Sequence, residues 1–331
     1  KGAQVTKWHH KLLYAWCAQQ PPVTTRTSIE DVVREHGRGP EARLAERCGP
    51  NLHEVLTGKA SYQELLFPGG SMDMVLPVYE SSIAGTFYNE CVVAALSAVC
   101  KQLPSGRKLH IIEIGAGTGG TASTVLPIVR GSCQEYMFTD VSEIFLMQAQ
   151  QRFTEAEAFM RYELLNIDVD PQLQGFATNS YDVGIATNVL HATPNMTNTM
   201  RNCYRLLRHG GIMVVNEVLR TNAFAQITFG LTDGWWFFAS DPGRKNQTEP
   251  LMPWEHWRRL FSQAGFQRSY CMQGKGPLAA QAVMIGAVSR RNLPASQRPT
   301  PADGAHLISG SESPLGRLTI RALVQSGASR L

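Results

Sequence analysis

From residue 109 onward, short apolar runs alternate with longer segments of helical period, the signature of βα units feeding a parallel sheet. The runs fall at 109–114, 135–139, 181–187 and 212–218. Two later runs, 266–272 and 281–288, flank a turn-rich stretch at 273–277, which predicts an antiparallel hairpin. Before the hairpin, Trp254, Trp257, Leu260, Phe261 and Ala264 recur at helical spacing and Gly265 supplies a stop. That pattern predicts an amphipathic helix, and packing alone accounts for its tryptophans. Residues 1–100 show short helical patterns broken at Pro21-Pro22, at 37–40 and at 68–70, a mainly helical and loop-rich region. Residues 289–303 are polar and proline-bearing, which reads as a linker. The expected organisation is a helical subdomain at 1–100, an α/β core at 101–288 and a tail at 289–331.

A chain of 331 residues suits one catalytic core with an added subdomain. The net charge of +4 is spread along it rather than gathered into a basic stripe, so a nucleic-acid partner is not indicated. The 7 cysteines never fall in a Cys-x-x-Cys spacing, which argues against a disulfide framework or a zinc site, and no metal is expected. Residues 1–16 lack the pattern of a signal peptide, and no stretch reads as approaching the ~18 apolar residues of a membrane span. A cytoplasmic location with no membrane partner is the resulting expectation.

The first run leads into Gly115, Ala116, Gly117, Thr118, Gly119 and Gly120, with a helical segment behind. Glycines there let the backbone turn tightly and approach a ligand, while the following helix presents free amides, so a cofactor cradle is implied. Gly115, Gly117 and Gly120 also satisfy the dinucleotide pattern, with Asp140 about 20 residues on. Three features favour another cofactor. Glu113 places a carboxylate where the ammonium of a methionine moiety could be held. Asp168 offers a polar acceptor to an adenine amino group. The late hairpin is foreign to a wholly parallel dinucleotide sheet.

With Glu-x-Gly-x-Gly-x-Gly, an acid after the second strand and a late antiparallel strand, the chain resembles the class I S-adenosylmethionine-dependent methyltransferases. The resemblance implies an α/β Rossmann-like sheet, mostly parallel with an antiparallel C-terminal strand, and a helical N-terminal lid. It also implies that Gly115, Gly117 and Gly119 face the methionine and ribose of the cofactor, Asp140 the ribose hydroxyls and Asp168 the adenine. Asp140 could instead cap the helix after it, and Asp168 could serve a turn.

Asn188-Val-Leu-His191 follows the third run, and Asn216-Glu217 ends the fourth. In a doubly wound methyltransferase sheet these strands are neighbours, so their carboxyl ends would bring His191 and Glu217 together. Methyl transfer from a sulfonium needs a deprotonated nucleophile; a histidine backed by a carboxylate suits removal of the acidic proton of a β-ketoacyl thioester. Glu217 could instead pair with Arg220, and Asn188 could orient a ligand or close its turn.

Residues 77–89, 188–193, 210–217 and 230–241 are similar to the methyltransferase domains of polyketide synthases in particular. That resemblance implies a His191–Glu217 catalytic dyad, an acyl substrate on the phosphopantetheine arm of an acyl carrier protein, and neighbouring synthase domains. Tyr79, Phe87, Tyr88, Trp235 and Trp236 become candidates for the walls of an acyl tunnel beneath the lid, although aromatics in such numbers also build cores. Residues 306–331 resemble the first strand and helix of a ketoreductase-type unit. The alternatives are O-methylation of a hydroxyl on a similar substrate and a nicotinamide-dependent oxidoreductase. A base methyltransferase of nucleic acids would carry Asn-Pro-Pro-aromatic where this chain has Asn188-Val-Leu-His191. A decayed spacer would not keep the glycine loop intact.

Overall fold

A computed structural model describes residues 4–20, 31, 37–245 and 247–289. The tail from 290, with most of the expected linker and the ketoreductase-like stretch, lies outside the described residues.

Seven strands form one sheet in the order β3-β2-β1-β4-β5-β7-β6. They are β1 (Leu109–Ile114), β2 (Cys133–Asp140), β3 (Met160–Leu164), β4 (Tyr181–Thr187), β5 (Leu207–Val218), β6 (Arg268–Gln273) and β7 (Gln281–Ala287). The pairs β1–β2, β1–β4, β2–β3 and β4–β5 are parallel, while β7 runs antiparallel to both β5 and β6. This is the class I methyltransferase sheet that the sequence predicts. The predicted bounds of β1 and β4 match. β5 begins earlier than its apolar run, because Leu207 pairs with Tyr181 before a register shift admits residues 208–211. The sequence does not single out β3: it lies at the sheet edge, three of its five residues are exposed, and Met-Arg-Tyr-Glu-Leu contains no apolar run.

Period-two alternation sends neighbouring strand residues into different layers. Ile112, Ile114, Met213 and Val215 face one layer, with Met200, Cys203, Trp257 and Phe261. Ile111, Phe138, Ile185 and Val214 face the other, with Tyr88, Val92, Leu96 and Val125. The predicted tryptophan-bearing helix is Trp254–Ala264; Gly265 ends it at φ 109°, and Phe266 N–H returns to Phe261 O at 3.0 Å. Complete burial of Trp257 and Phe261 fastens the helix to the sheet at roughly 2–3 kcal/mol each.

The lid departs from the expected 1–100 segment in two ways. Its core joins Leu13, Leu44, Cys48 and Leu66 to Leu231, Trp235, Trp236 and Leu251, so a second segment inserted after β5 completes it. That insertion is built of short turns, and its aromatics have no helical period to announce it. The end of the leading segment, helix Ile83–Lys101, instead packs on the sheet through Tyr88, Val92 and Leu96. An 18-residue window of this helix has mean hydropathy 1.4, long and apolar enough to cross a membrane, contrary to the sequence expectation. In this fold one face of it packs on the sheet, and the Tyr88 hydroxyl bonds the Gln281 carbonyl at 2.5 Å.

Candidate active site

The loop after β1 takes left-handed turns at Gly115, Gly117 and Gly119, with φ of 59°, 54° and 74°. A Cβ on Gly115 would lie 2.2 Å from Val189 Cγ2, so only glycine lets the loop pass the end of β4. A Cβ on Gly117 would meet nothing closer than 4.0 Å; its open side faces free space of the kind a cofactor cradle needs.

Asp140 ends β2 and ties two stretches of backbone together. Its Oδ2 accepts the Gly117 amide at 2.9 Å, tethering the loop, and its Oδ1 accepts the Ser142 amide at 2.9 Å at the start of the next helix. Burial pushes this carboxyl up and the backbone donors pull it back. Glu113 is buried on β1, beneath the loop, and accepts the Tyr136 hydroxyl at 2.6 Å. Desolvation is the main cause that pushes its carboxyl up to about 8. Asp168 follows β3 in an Asx turn, its amide on Asn166 Oδ1 at 3.0 Å, and its half-buried carboxylate faces Thr199 Oγ1 at 3.5 Å.

Beyond β4 and β5 the backbone is tied crosswise. Asn188, at φ 49°, donates its amide to Asn216 O at 2.8 Å and accepts the Val218 amide on its own Oδ1 at 3.0 Å. Asn188 therefore closes the turn while also facing the cavity described next. This joint lays Glu217 beneath the single 3-10 turn Leu190–Ala192. Glu217 Oε2 meets His191 Nδ1 at 2.6 Å, and Oε1 accepts the amides of Val189 and Leu190 at 3.0 and 2.8 Å. Glu217 is fully buried, and these three contacts stand in place of the alternative pair with Arg220.

His191 opens onto a cavity of about 540 Å³ between lid and sheet. Tyr79, Tyr88, Asn188 and Trp235 also line it, and the Trp235 ring stands edge-on to the His191 ring with centroids 5.5 Å apart. Burial first, and then the Glu217 charge, push the Tyr79 phenol well up, so it stays protonated at neutral pH. Phe87 and Trp236 are not on the cavity wall. Phe87 is 36% exposed beside Tyr88, and Trp236 is in the lid core with its indole N–H on Gly230 O at 2.8 Å. Consecutive helical residues point about 100° apart, so only one of each aromatic pair can face inward. The glycines, Asp140 and Asp168 also lie off this wall, and Glu217 is sealed behind His191.

Sequence reasoning missed Arg244 and Asp241. Arg244, 2% exposed, pairs with Asp241 at 2.8 Å and donates to the carbonyl of His191 itself at 2.8 Å. Asp241-Pro-Gly-Arg244 reads as a surface turn, and nothing in its spelling announces burial.

A family profile described as a methyltransferase domain matches residues 112–213. The polyketide synthase PksR of Bacillus subtilis (strain 168) is 34% identical over 72% of this chain, and the match spans 10% of PksR. Among solved structures, the CurJ carbon methyltransferase aligns with TM-score 0.79 and 28% identity over 86% of this chain and 81% of that one. The DszA carbon methyltransferase aligns with TM-score 0.71 and 30% identity over 79% and 70%. The chain belongs to the carbon methyltransferase domains of polyketide synthases. The family is one of S-adenosylmethionine-dependent carbon methyltransferases. The chain spans a tenth of the PksR length, so this family match describes a domain rather than a whole synthase.

Proposed function

We propose that this domain transfers a methyl group to the α-carbon of a β-ketoacyl thioester held on the phosphopantetheine arm of an acyl carrier protein, with His191 as general base oriented by Glu217. The observation that carries the proposal is the 2.6 Å His191–Glu217 pair opening onto a cavity of about 540 Å³ at the ends of β4 and β5.

The residues fit S-adenosylmethionine: the left-handed glycine loop leaves its open side at Gly117, and a carboxylate stands at the end of β2. In this assignment Gly115, Gly117 and Gly119 bound the methionine and ribose, Asp140 takes the ribose hydroxyls, Asp168 the adenine and Glu113 the ammonium. Asn188 holds the edge between cofactor and substrate. When bound, the cofactor supplies a methyl group already activated on a sulfonium, so the protein need only make the nucleophile.

Glu217 accepts a hydrogen bond from Nδ1–H and leaves Nε2 as the free acceptor, the tautomer a general base needs. The α-carbon proton moves to Nε2, and the imidazolium that results is stabilised by the buried carboxylate. Trp235 packs edge-on against the ring at the cavity wall. Tyr79, Tyr88 and Trp235 are the aromatic walls for the acyl chain, and neighbouring synthase domains deliver and remove it.

The test is intact-mass analysis of a β-ketoacyl carrier protein incubated with S-adenosylmethionine and the domain, with fragmentation of the released acyl chain to locate the methyl. A gain of one methyl on carbon, lost in His191→Ala, is the expected result. A methyl ether as product would replace this assignment with O-methylation, and full activity of His191→Ala would remove the base.

A further inference from the structure

We infer that Arg244 is a positioning residue for His191, a guanidinium fixed by Asp241 that grips the backbone of the histidine turn from the side opposite Glu217. The inference rests on His191 being the base.

The turn that carries His191 cannot hold itself. Leu190–Ala192 is one turn of 3-10 helix, with internal bonds at Ala192 N to Val189 O, 3.0 Å, and Thr193 N to Leu190 O, 3.2 Å. Its orientation is set from outside. Glu217 takes amides on its near side, at residues 189 and 190. Arg244 takes carbonyls on its far side: Nη1 donates to His191 O at 2.8 Å and Nη2 to Thr193 O. The same Nη1 reaches Pro250 O at 3.4 Å. An anion holds the donors of the turn and a cation its acceptors, so rotation about its axis breaks bonds on both sides.

Asp241 extends the grip. Its Oδ2 binds Arg244 Nε at 2.8 Å and accepts the Met196 amide at 3.0 Å, which opens the helix that follows the turn. Its Oδ1 accepts the Gly243 amide at 2.8 Å. One ion pair therefore fixes residues 191, 193 and 196 to the segment inserted after β5.

Simple packing does not explain this pair. Burying a guanidinium and a carboxylate costs solvation that apolar residues of the same volume would avoid. The planar fork of arginine supplies several donors in a fixed geometry, which lysine cannot reproduce. Desolvation works against the Arg244 charge, and Asp241 first and then Glu217 sustain it.

The experiment compares the wild-type domain with Arg244→Lys, Asp241→Asn and His191→Ala. The readouts are melting temperature, S-adenosylhomocysteine affinity by calorimetry, kcat and KM with a β-ketoacyl carrier protein, and the low-field proton resonance of the His191–Glu217 hydrogen bond. In Arg244→Lys the expected result is a folded protein with kcat down roughly tenfold or more. KM and cofactor-product affinity change little by comparison, and the low-field resonance shifts or broadens. Asp241→Asn should reproduce the pattern, and it carries the test if the lysine variant fails to fold. Wild-type kcat and an unmoved resonance in a folded variant, with His191→Ala inactive, would overturn the positioning role alone. Retained activity in His191→Ala would remove the base assignment and this inference with it.

Discussion

His191 and Glu217 are 26 residues apart in the chain, and one carboxylate serves both the ring and the turn that carries it. Its Oε2 lies 2.6 Å from the imidazole Nδ1, while Oε1 holds the two amides just before it. Glu217→Gln removes the charge and keeps the shape. The expected outcome is a fall in kcat of roughly a hundredfold or more, with S-adenosylhomocysteine binding retained, as measured by intact-mass rates and calorimetry. A variant within a few-fold of wild type would show that the carboxylate is only structural.

The glycines separate folding from binding. A Cβ at position 115 collides with Val189 at 2.2 Å, so Gly115→Ala should lower the melting temperature sharply. Position 117 has no neighbour within 4.0 Å, and Gly117→Ala bears mainly the left-handed φ, about 1–2 kcal/mol. Gly117→Ala should therefore stay folded and lose S-adenosylhomocysteine affinity by roughly tenfold or more, the equivalent of about 1.4 kcal/mol. Unchanged affinity would place the cofactor elsewhere.

Glu113 makes stability depend on pH in a defined direction. Its carboxyl is raised from an ordinary 4.5 to about 8, so the native domain keeps a proton that the unfolded chain gives up in that window. Its contribution is fully present below about 4.5 and is lost as pH rises to about 8. Glu113→Gln, which can still bond the Tyr136 hydroxyl, should lose less stability between pH 5 and pH 8 than wild type in denaturant titrations. Equal losses would mean that the carboxyl is already ionised in the native domain.

Trp235 and Trp236 are adjacent and should respond differently. Trp236→Phe strands the buried Gly230 carbonyl, a cost of about 1–3 kcal/mol, and should show in stability. Trp235→Phe withdraws an indole that bonds Gln226 Oε1 at 3.2 Å and packs edge-on against His191, and should lower kcat as well. Denaturation and turnover measured on both variants decide it; equal loss of turnover would place both rings on the cavity.

Strand ends were the most legible part of this site in the sequence. β1 and β4 are apolar runs closed by glycine or asparagine, so the sequence alone places the residues after them above the sheet. His191 and Glu217 follow from adjacency of two such strands. Partners chosen by side-chain direction were less legible: Phe87 and Tyr88 look alike on paper, and a helical rotation separates them. Tertiary partners with no periodic pattern escaped altogether. Arg244 sits in a turn-like Asp-Pro-Gly-Arg, and the inserted half of the lid has aromatics in no regular spacing. Both are recognised only once the segment after β5 is seen folded back over His191.

β7 lies between β5 and β6 and, among the described residues, is the last strand of this sheet to appear in the chain. During synthesis the outer edge of β5, the strand that carries Glu217, must therefore remain unpaired until residues 281–287 have emerged. Long-range pairings of this kind form late and leave a sticky edge exposed meanwhile. The dyad should accordingly mature after the rest of the sheet, and a nascent chain halted before β7 should be a ready client for chaperones.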